Sequence, residues 1–265
     1  MALHELDPLV AEVEGKHGRF RYLRHDIFIG ASMRSYGEYS EFELEFLLNL
    51  VAPEATVVEA GANIGSHTIP LAGKIGPGGR IIAFEPQPLL FQILNDNLEL
   101  NDVSNVETRA SAVGAVQSKG FIDLPDYSVP GNFGGVEVSS QGVTVPIVSI
   151  DDELGETPVH LIKLDIEGME GAALAGASRV ISRYKPLLYL ENNHRDLSAN
   201  LIRQVFDLGY CAFWHLPLMF NPDNYFNEER DFFPGIISTN MLCVPNHWKI
   251  DRSGSIQDPE DHPFN

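Results

Sequence analysis

Thr56-Val57-Val58-Glu59-Ala60-Gly61-Ala62-Asn63-Ile64-Gly65 is an apolar, β-branched run that ends in an acid and then turns on glycine. The segment after it, Ser66 to Lys74, reads as a helix and is stopped by Gly76-Pro77-Gly78-Gly79. A strand that feeds a glycine turn and then a helix presents its carboxyl end to a nucleotide-like ligand. Arg80-Ile81-Ile82-Ala83-Phe84 repeats the theme and also ends in an acid, Glu85. Two strand ends tipped with carboxylates suit a ligand that carries hydroxyls and a positive charge.

The glycine spacing narrows the ligand. A dinucleotide turn has G-x-G-x-x-G, whose middle glycine lets the backbone approach a pyrophosphate. Here the glycines are Gly61 and Gly65, and Asn63 stands between them. No Gly-Lys-Ser or Gly-Lys-Thr follows, so a P-loop is not indicated. An acid ahead of the turn repels phosphate. Glu59 and Gly61 instead suit a cationic amino-acid end, and Glu85 suits a ribose diol through two charge-assisted bonds. A ligand with ribose, a positive charge and no phosphate is S-adenosylmethionine.

Outward from this stretch, strand and helix patterns alternate from Val57 to Tyr210, which predicts a mostly parallel sheet covered by helices on both faces. Residues 1–17 carry little pattern and read as loose chain or helix, and Gly18 to Ile29 reads as strand or hairpin. Ser35 to Tyr39 reads as a turn. Ser40 with Glu43 three residues later reads as a capping box for a helix that stops before Pro53. Further helices are expected over 89–101, 168–182 and 198–208, and strands over 106–113, 121–124, 143–148, 160–164, 187–190, 210–215 and 241–244. The last two are expected as an antiparallel pair at one side. Long loops at 125–142 and 216–238 are expected to lie over the site. The expected organisation is a lead-in over 1–52, a core over 53–248 and a polar tail over 249–265. Acids stand at four strand ends, Glu59, Glu85, Asp165 and Glu191, and right-handed crossovers bring those ends to one edge.

Composition excludes some partners. Lys and Arg total 18 against 37 Asp and Glu, a net charge of −19 in 265 residues. Such a balance opposes binding to nucleic acid or to an anionic membrane. No run approaches the roughly 20 apolar residues of a membrane helix, and Met1 to Gly15 lacks the apolar segment of a secretory signal. Cys211 and Cys243 lie in apolar runs outside any Cys-x-x-Cys pair and read as buried thiols. The expectation is a cytoplasmic protein with a small-molecule or glycan substrate. Self-association stays open.

Glu59-x-Gly61-x-x-x-Gly65, Phe84-Glu85-Pro86 and Leu161-Ile162-Lys163-Leu164-Asp165-Ile166-Glu167-Gly168-Met169-Glu170 occur in that order, followed by Gly176-Ala177 and a strand ending in Glu191. In this the chain resembles class I methyltransferases, and among them the FkbM type, over about residues 35–245. That resemblance implies a Rossmann-like, seven-stranded sheet with an antiparallel edge strand. It implies methyl transfer from S-adenosylmethionine to hydroxyls of sugars and secondary metabolites. Where the family's first strand ends in Asp, this chain has Glu59, the same charge on a longer arm. Glu59, Gly61, Asn63 and Gly65 would form the loop around the methionine end. Glu85 would hold the ribose, and Ser111 and Ala112 would lie by the adenine.

A hydroxyl acceptor must lose its proton as it attacks, so a positioned base helps. Asp165, Glu191 and His194 are the candidate catalytic groups, with Glu167 beside them. The plainer reading is solvated strand-end acids and an exposed loop histidine. Tyr36 and Tyr39 are candidates to cover the cofactor, with aromatic packing as the alternative. Trp214 and Phe232-Phe233 fit a sugar platform or ordinary core. No His/Cys spacing matches a zinc site, and a carboxylate-bound divalent ion stays open. Three other functions compete: N-methylation of a small metabolite, a nicotinamide-dependent oxidoreductase on a related sheet, and a non-catalytic binding protein. Asn63 opposes the oxidoreductase. The acids at four strand ends oppose the binding protein.

Overall fold

Period-two alternation decides which way each core strand faces. In the computed structural model, which describes residues 8–264, Val57, Ile81 and Leu161 point to one side of the main sheet and Val58, Ile82 and Ile162 to the other. All six are buried. Strands apolar on both faces can exist only between two layers of helix.

The chain opens with a hairpin of β1 (Val10–Gly15) and β2 (Gly18–Leu23). Next come α1 (Ile29–Tyr36), α2 (Glu41–Leu50), β3 (Thr56–Ala60), α3 (Thr68–Ile75), β4 (Arg80–Phe84), α4 (Pro88–Leu100) and β5 (Val106–Arg109). A small sheet follows, made of β6 (Ala112–Val113), β7 (Ser118–Ile122), β8 (Val138–Ser139) and β9 (Val143–Val148), in the order β6-β9-β7-β8. The remainder is α5 (Ile150–Leu154), β10 (Leu161–Leu164), α6 (Glu170–Ala175), α7 (Ser178–Tyr184), β11 (Leu187–Glu191), α8 (Arg195–Asp207), β12 (Tyr210–His215) and β13 (Asn240–Pro245). The main sheet has seven strands in the order β12-β13-β11-β10-β3-β4-β5. Helices α2, α3 and α4 pack on the Val57 face, and α5 to α8 on the Val58 face. The order reverses between β3 and β10, which is where ligands bind in such sheets.

The doubly wound α/β sheet is the expected one, and several local features differ. The antiparallel strand is β13, inserted between β12 and β11 rather than at the edge. Val10 to Gly15 is a strand rather than loose chain; residues 1–7 of that segment lie outside the described residues. Ile29 to Tyr36 is helical, although the apolar residues 27–29 resemble a strand. The 168–182 helix is broken into α6 and α7 at Gly176, whose added Cβ would come within 2.1 Å of the Gly114 carbonyl oxygen. Helix α8 starts at Arg195 after His194, not at Ser198. Ser40 does not cap α2: its backbone is left-handed, and its hydroxyl donates instead to Glu43 Oε2 at 3.1 Å.

The run 106–113 splits because β4 ends at Phe84. Arg109 pairs with Phe84 and gives its carbonyl to Glu85 N at 3.1 Å. Beyond that point no ladder partner remains, so Ala112 and Val113 pair with β9 instead.

Two asparagines bind the hairpin to the core. Asn97 accepts from Arg21 N at 2.6 Å and donates to the carbonyls of Arg21 and Ile64 at 2.9 and 2.8 Å. Asn101 accepts from Arg19 N at 2.9 Å and donates to Arg19 O at 2.7 Å. Four residues of helix rise about 6 Å and two residues of strand about 6.6 Å, so the side chains keep step with alternate residues of β2. Asn97 is fully buried. Asn97→Ala orphans three backbone groups, the carbonyl of Ile64 buried and the N–H and carbonyl of Arg21 half-buried, and should lower stability by about 2 kcal/mol. Urea unfolding monitored by circular dichroism checks this; an unchanged midpoint would refute the anchoring role.

Candidate active site

The glycine turn after β3 is shaped by contact with another strand end. Gly61 has φ +85°, and a Cβ added there would lie 1.8 Å from the carbonyl oxygen of Asp165. Only glycine allows both that conformation and that approach. Gly61 N and Ala62 N both donate to Phe84 O at 3.0 Å, so the turn is tied to β4 as well. Asn63 follows in the left-handed region, φ +51°, and its N–H donates to Glu85 Oε2 at 2.9 Å. Gln87 N donates to Glu85 Oε1, also at 2.9 Å. Burial pushes the Glu85 carboxyl up to about 7 despite these two bonds.

Gln87 reaches further. Its Nε2 donates to Phe133 O at 2.8 Å, and its Oε1 accepts from the Tyr127 hydroxyl at 3.0 Å. One side chain thus pins the loop 125–142 across the strand ends. Asn132, Gly134 and Gly135 of that loop, with Met219 and residues 236–238 from the second loop, line a cavity of about 270 Å³. A narrower slot of about 40 Å³ adjoins it, lined by Phe84, Pro86, Ser111, Ala112, Val138 and Met169. Gly61, Glu85, Asp165 and Glu167 border both spaces.

The larger cavity is acidic. Glu43, Glu59, Asp165, Glu167 and Glu191 line it, and Lys163 is the one Lys or Arg among the described residues that does. Lys163 is buried within β10 and lies opposite Glu59 in the register. Its Nζ bonds to Asp165 Oδ2 at 3.1 Å. Burial works against this ammonium, but Asp165, Glu59 and Glu43 together outweigh burial and raise its pKa. The reverse holds for Asp165, where burial pushes upward but Lys163, a hydrogen bond with Glu191 and His67 together outweigh it and hold the carboxyl below its usual range. Glu59 accepts from Thr68 Oγ1 at 2.7 Å, and burial raises it.

Among the described residues, no second lysine lines the cavity beside Glu191 and Glu167. Burial, with the charges of Asp165 and Glu167, pushes Glu191 well up. Burial and Asp165 raise Glu167 to about 7, with His194 opposing. His194 Nε2 lies 3.6 Å from Glu167 Oε2. Across the cavity, burial and Lys163 hold His67 down to about 3, so its ring is neutral.

Most residues expected at the site converge there: Glu59, Gly61, Asn63, Glu85, Asp165 and Glu191 on the cavity, and Ser111 and Ala112 on the slot. Three do not. Tyr36 is buried among Met219 and Phe233, and its hydroxyl donates to Arg230 O and accepts from Phe232 N. Its helical position turns it into that cluster, and Tyr39 lines the cavity instead. Gly65 faces Leu94 Cδ1, where it lets α4 approach. His194 stands behind Glu167 rather than on the cavity wall. Trp214 and Phe233 are spent elsewhere, Trp214 donating to Asp261 O and Phe233 packing on Tyr36. Sequence reasoning passed over Lys163, Glu43 and Gln87. A lysine inside an otherwise apolar parallel strand was the available signal for Lys163.

The arrangement offers a carboxylate between an apolar slot and an acidic chamber. It suits a cationic ligand with hydroxyls, held next to groups that exchange protons near neutral pH. The model of the methyltransferase FkbM domain matches residues 59–213, more than half of the chain. A protein named Methyltransferase 1 from Beauveria bassiana is 29% identical over 185 residues, which cover 59% of this chain and 68% of that one. Methyltransferase sdnD from Sordaria araneosa is 31% identical over 116 residues, 39% of this chain and 44% of that one. In fold, the chain is similar to the precorrin-6y C5,15-methyltransferase of Geobacter metallireducens, with a TM-score of 0.51 at 15% identity, covering 78% of this chain and 87% of that one. By the extent of the domain match, the chain belongs to the FkbM methyltransferase family.

Proposed function

We propose that the protein transfers a methyl group from S-adenosylmethionine to a hydroxyl of a sugar or related metabolite. The observation that carries this reading is Glu85. It is buried where the slot meets the chamber, with one N–H already on each oxygen and further lone pairs to receive a ribose diol. The slot beside it suits adenine, between Phe84, Pro86 and Met169, with Ser111 and Ala112 at its floor. The turn at Gly61, with Glu59 behind it, suits the methionine end. Bound there, the cofactor supplies an electrophilic methyl on a sulfonium, and the protein's task is alignment.

The acceptor sits over Asp165 and Glu191, roofed by the loops 125–142 and 216–238. Lys163 keeps Asp165 ionised, so that carboxylate accepts a hydrogen bond from the attacking hydroxyl. As the hydroxyl attacks, its proton leaves through the Glu167 carboxylate on the cavity wall to His194 Nε2, 3.6 Å behind it. The acidic chamber, which repels anions, favours a neutral polyol acceptor.

A thermal shift with S-adenosylhomocysteine tests the reading directly; no shift at saturating ligand would sink it. Glu85→Ala removes two charge-assisted bonds and should weaken S-adenosylhomocysteine binding by about 100-fold or more, read by isothermal titration. Wild-type affinity in the variant would remove Glu85 from the ribose site. Affinity should also depend on pH. The carboxyl titrates at about 7 in the free site, and its ionised form is the better acceptor. Below pH 7 each further unit should cost about tenfold in affinity, and Glu85→Gln should abolish the dependence. His194→Ala should leave cofactor affinity unchanged and slow turnover by about 100-fold; an unchanged rate would discard it as the base.

A further inference from the structure

We propose that Asp165, Glu167 and Glu191 form a site for one hard divalent cation, Mg²⁺ or Mn²⁺, which holds the acceptor oxygen for methyl transfer. One carboxylate oxygen from each residue lies within 4.8 Å of the other two. An octahedral Mg²⁺ with bonds of about 2.1 Å places neighbouring ligand oxygens roughly 3 Å apart and opposite ones roughly 4 Å apart. Small side-chain rotations close the observed cluster onto such a cation. Three different segments deliver the carboxylates: the end of β10, the left-handed residue Glu167 two positions on, and the end of β11. All-oxygen donors select a hard cation over zinc or copper.

Carboxylates gather on many surfaces without binding anything. Two further observations single this group out. His67 is only 5% exposed, lines the same cavity, and leaves its Nε2 without a partner. The ring is neutral, and a water or acceptor hydroxyl on the cation would give that nitrogen a donor. Glu191 Oε2 is likewise buried with no hydrogen-bond donor, and the group facing it is another carboxylate, Asp165. Two carboxylates in contact need a proton or a cation between them. Among the described residues, the Lys163 ammonium is bonded to Asp165 Oδ2 and to no oxygen of Glu191.

The inference rests on the methyl-transfer reading and names how the acceptor is held. An acceptor hydroxyl on the cation is more acidic. Its proton leaves by way of a Glu167 oxygen to His194 Nε2 behind it, the new O–C bond forms as the S–C bond breaks, and that bonding pair stays on sulfur as a neutral thioether.

The test is an electron paramagnetic resonance titration of the full-length, EDTA-treated protein with Mn²⁺, with and without S-adenosylhomocysteine. One saturable Mn²⁺ per chain is expected. Its affinity should fall at least tenfold in Glu191→Gln and in Glu167→Gln, but not in Glu99→Gln, an exposed acid on α4. Absence of a saturable site on the wild-type chain overturns the proposal and favours a shared proton. Binding weakened equally by Glu99→Gln overturns it in favour of diffuse attraction to an acidic surface. The wild-type titration decides even if a variant does not fold. A thermal shift with S-adenosylhomocysteine in EDTA separates the two readings: if it persists where Mn²⁺ does not bind, only the cation site fails; if both are absent, the methyl-transfer reading fails as well.

Discussion

A single buried ammonium sets the terms for the rest of the site. Lys163 stands in the central parallel strand, where any charge is expensive unless it is paired. Its partners come from separate elements: Asp165 two residues on, Glu59 on the neighbouring strand and Glu43 on α2. The ammonium therefore links a helix from the lead-in to two strand ends of the core. It also divides the acids into two groups. Those near Lys163 are compensated, and Asp165 stays ionised. The others, Glu191 and Glu167, are pushed upward by burial and by the charge of Asp165. This contrast sets proton-exchanging groups directly beside a fixed charge.

The walls of the chamber are held by polar side chains that act at a distance. Gln87 sits just past β4, yet it fixes Phe133 and Tyr127 of a loop some forty residues later. Asn97 and Asn101 fasten the N-terminal hairpin, and Asn97 also reaches Ile64 in the glycine turn. On the far side Glu38 accepts from Asn221 Nδ2 at 2.8 Å and from Tyr225 N at 3.0 Å, which ties the second loop to the lead-in. Each bond satisfies backbone or amide groups that would otherwise be buried without partners. Long loops stay ordered over a site when their polar groups are met in this way.

What could be read from the residues tracked the regularity of the backbone. Val57-Val58 and Ile81-Ile82 declare buried parallel strands because both faces are apolar, and the acids after them mark strand ends. Breaks were harder to read. Nothing local stops a helix at Gly176, since the obstacle is the carbonyl of Gly114, sixty-two positions earlier. Ser40 and Glu43 have the spacing of a capping box, but Glu43 turns toward the chamber of Lys163 and Asp165. Tyr36 and Tyr39 look alike in the sequence, and one helical turn sends them to different neighbours.

The sequence by itself determined the doubly wound sheet, the edge on which its acids gather and the kind of ligand that edge suits, because strand periodicity and residue chemistry are local properties. Only the tertiary structure decided the rest. It placed β13 between β12 and β11, set Lys163 against three carboxylates, and brought Asp165, Glu167 and Glu191 within reach of one another. Gly61 joins the two levels. Its residue type announces a turn, but the reason no other residue fits is the Asp165 carbonyl, which reaches it only once β3 and β10 have paired.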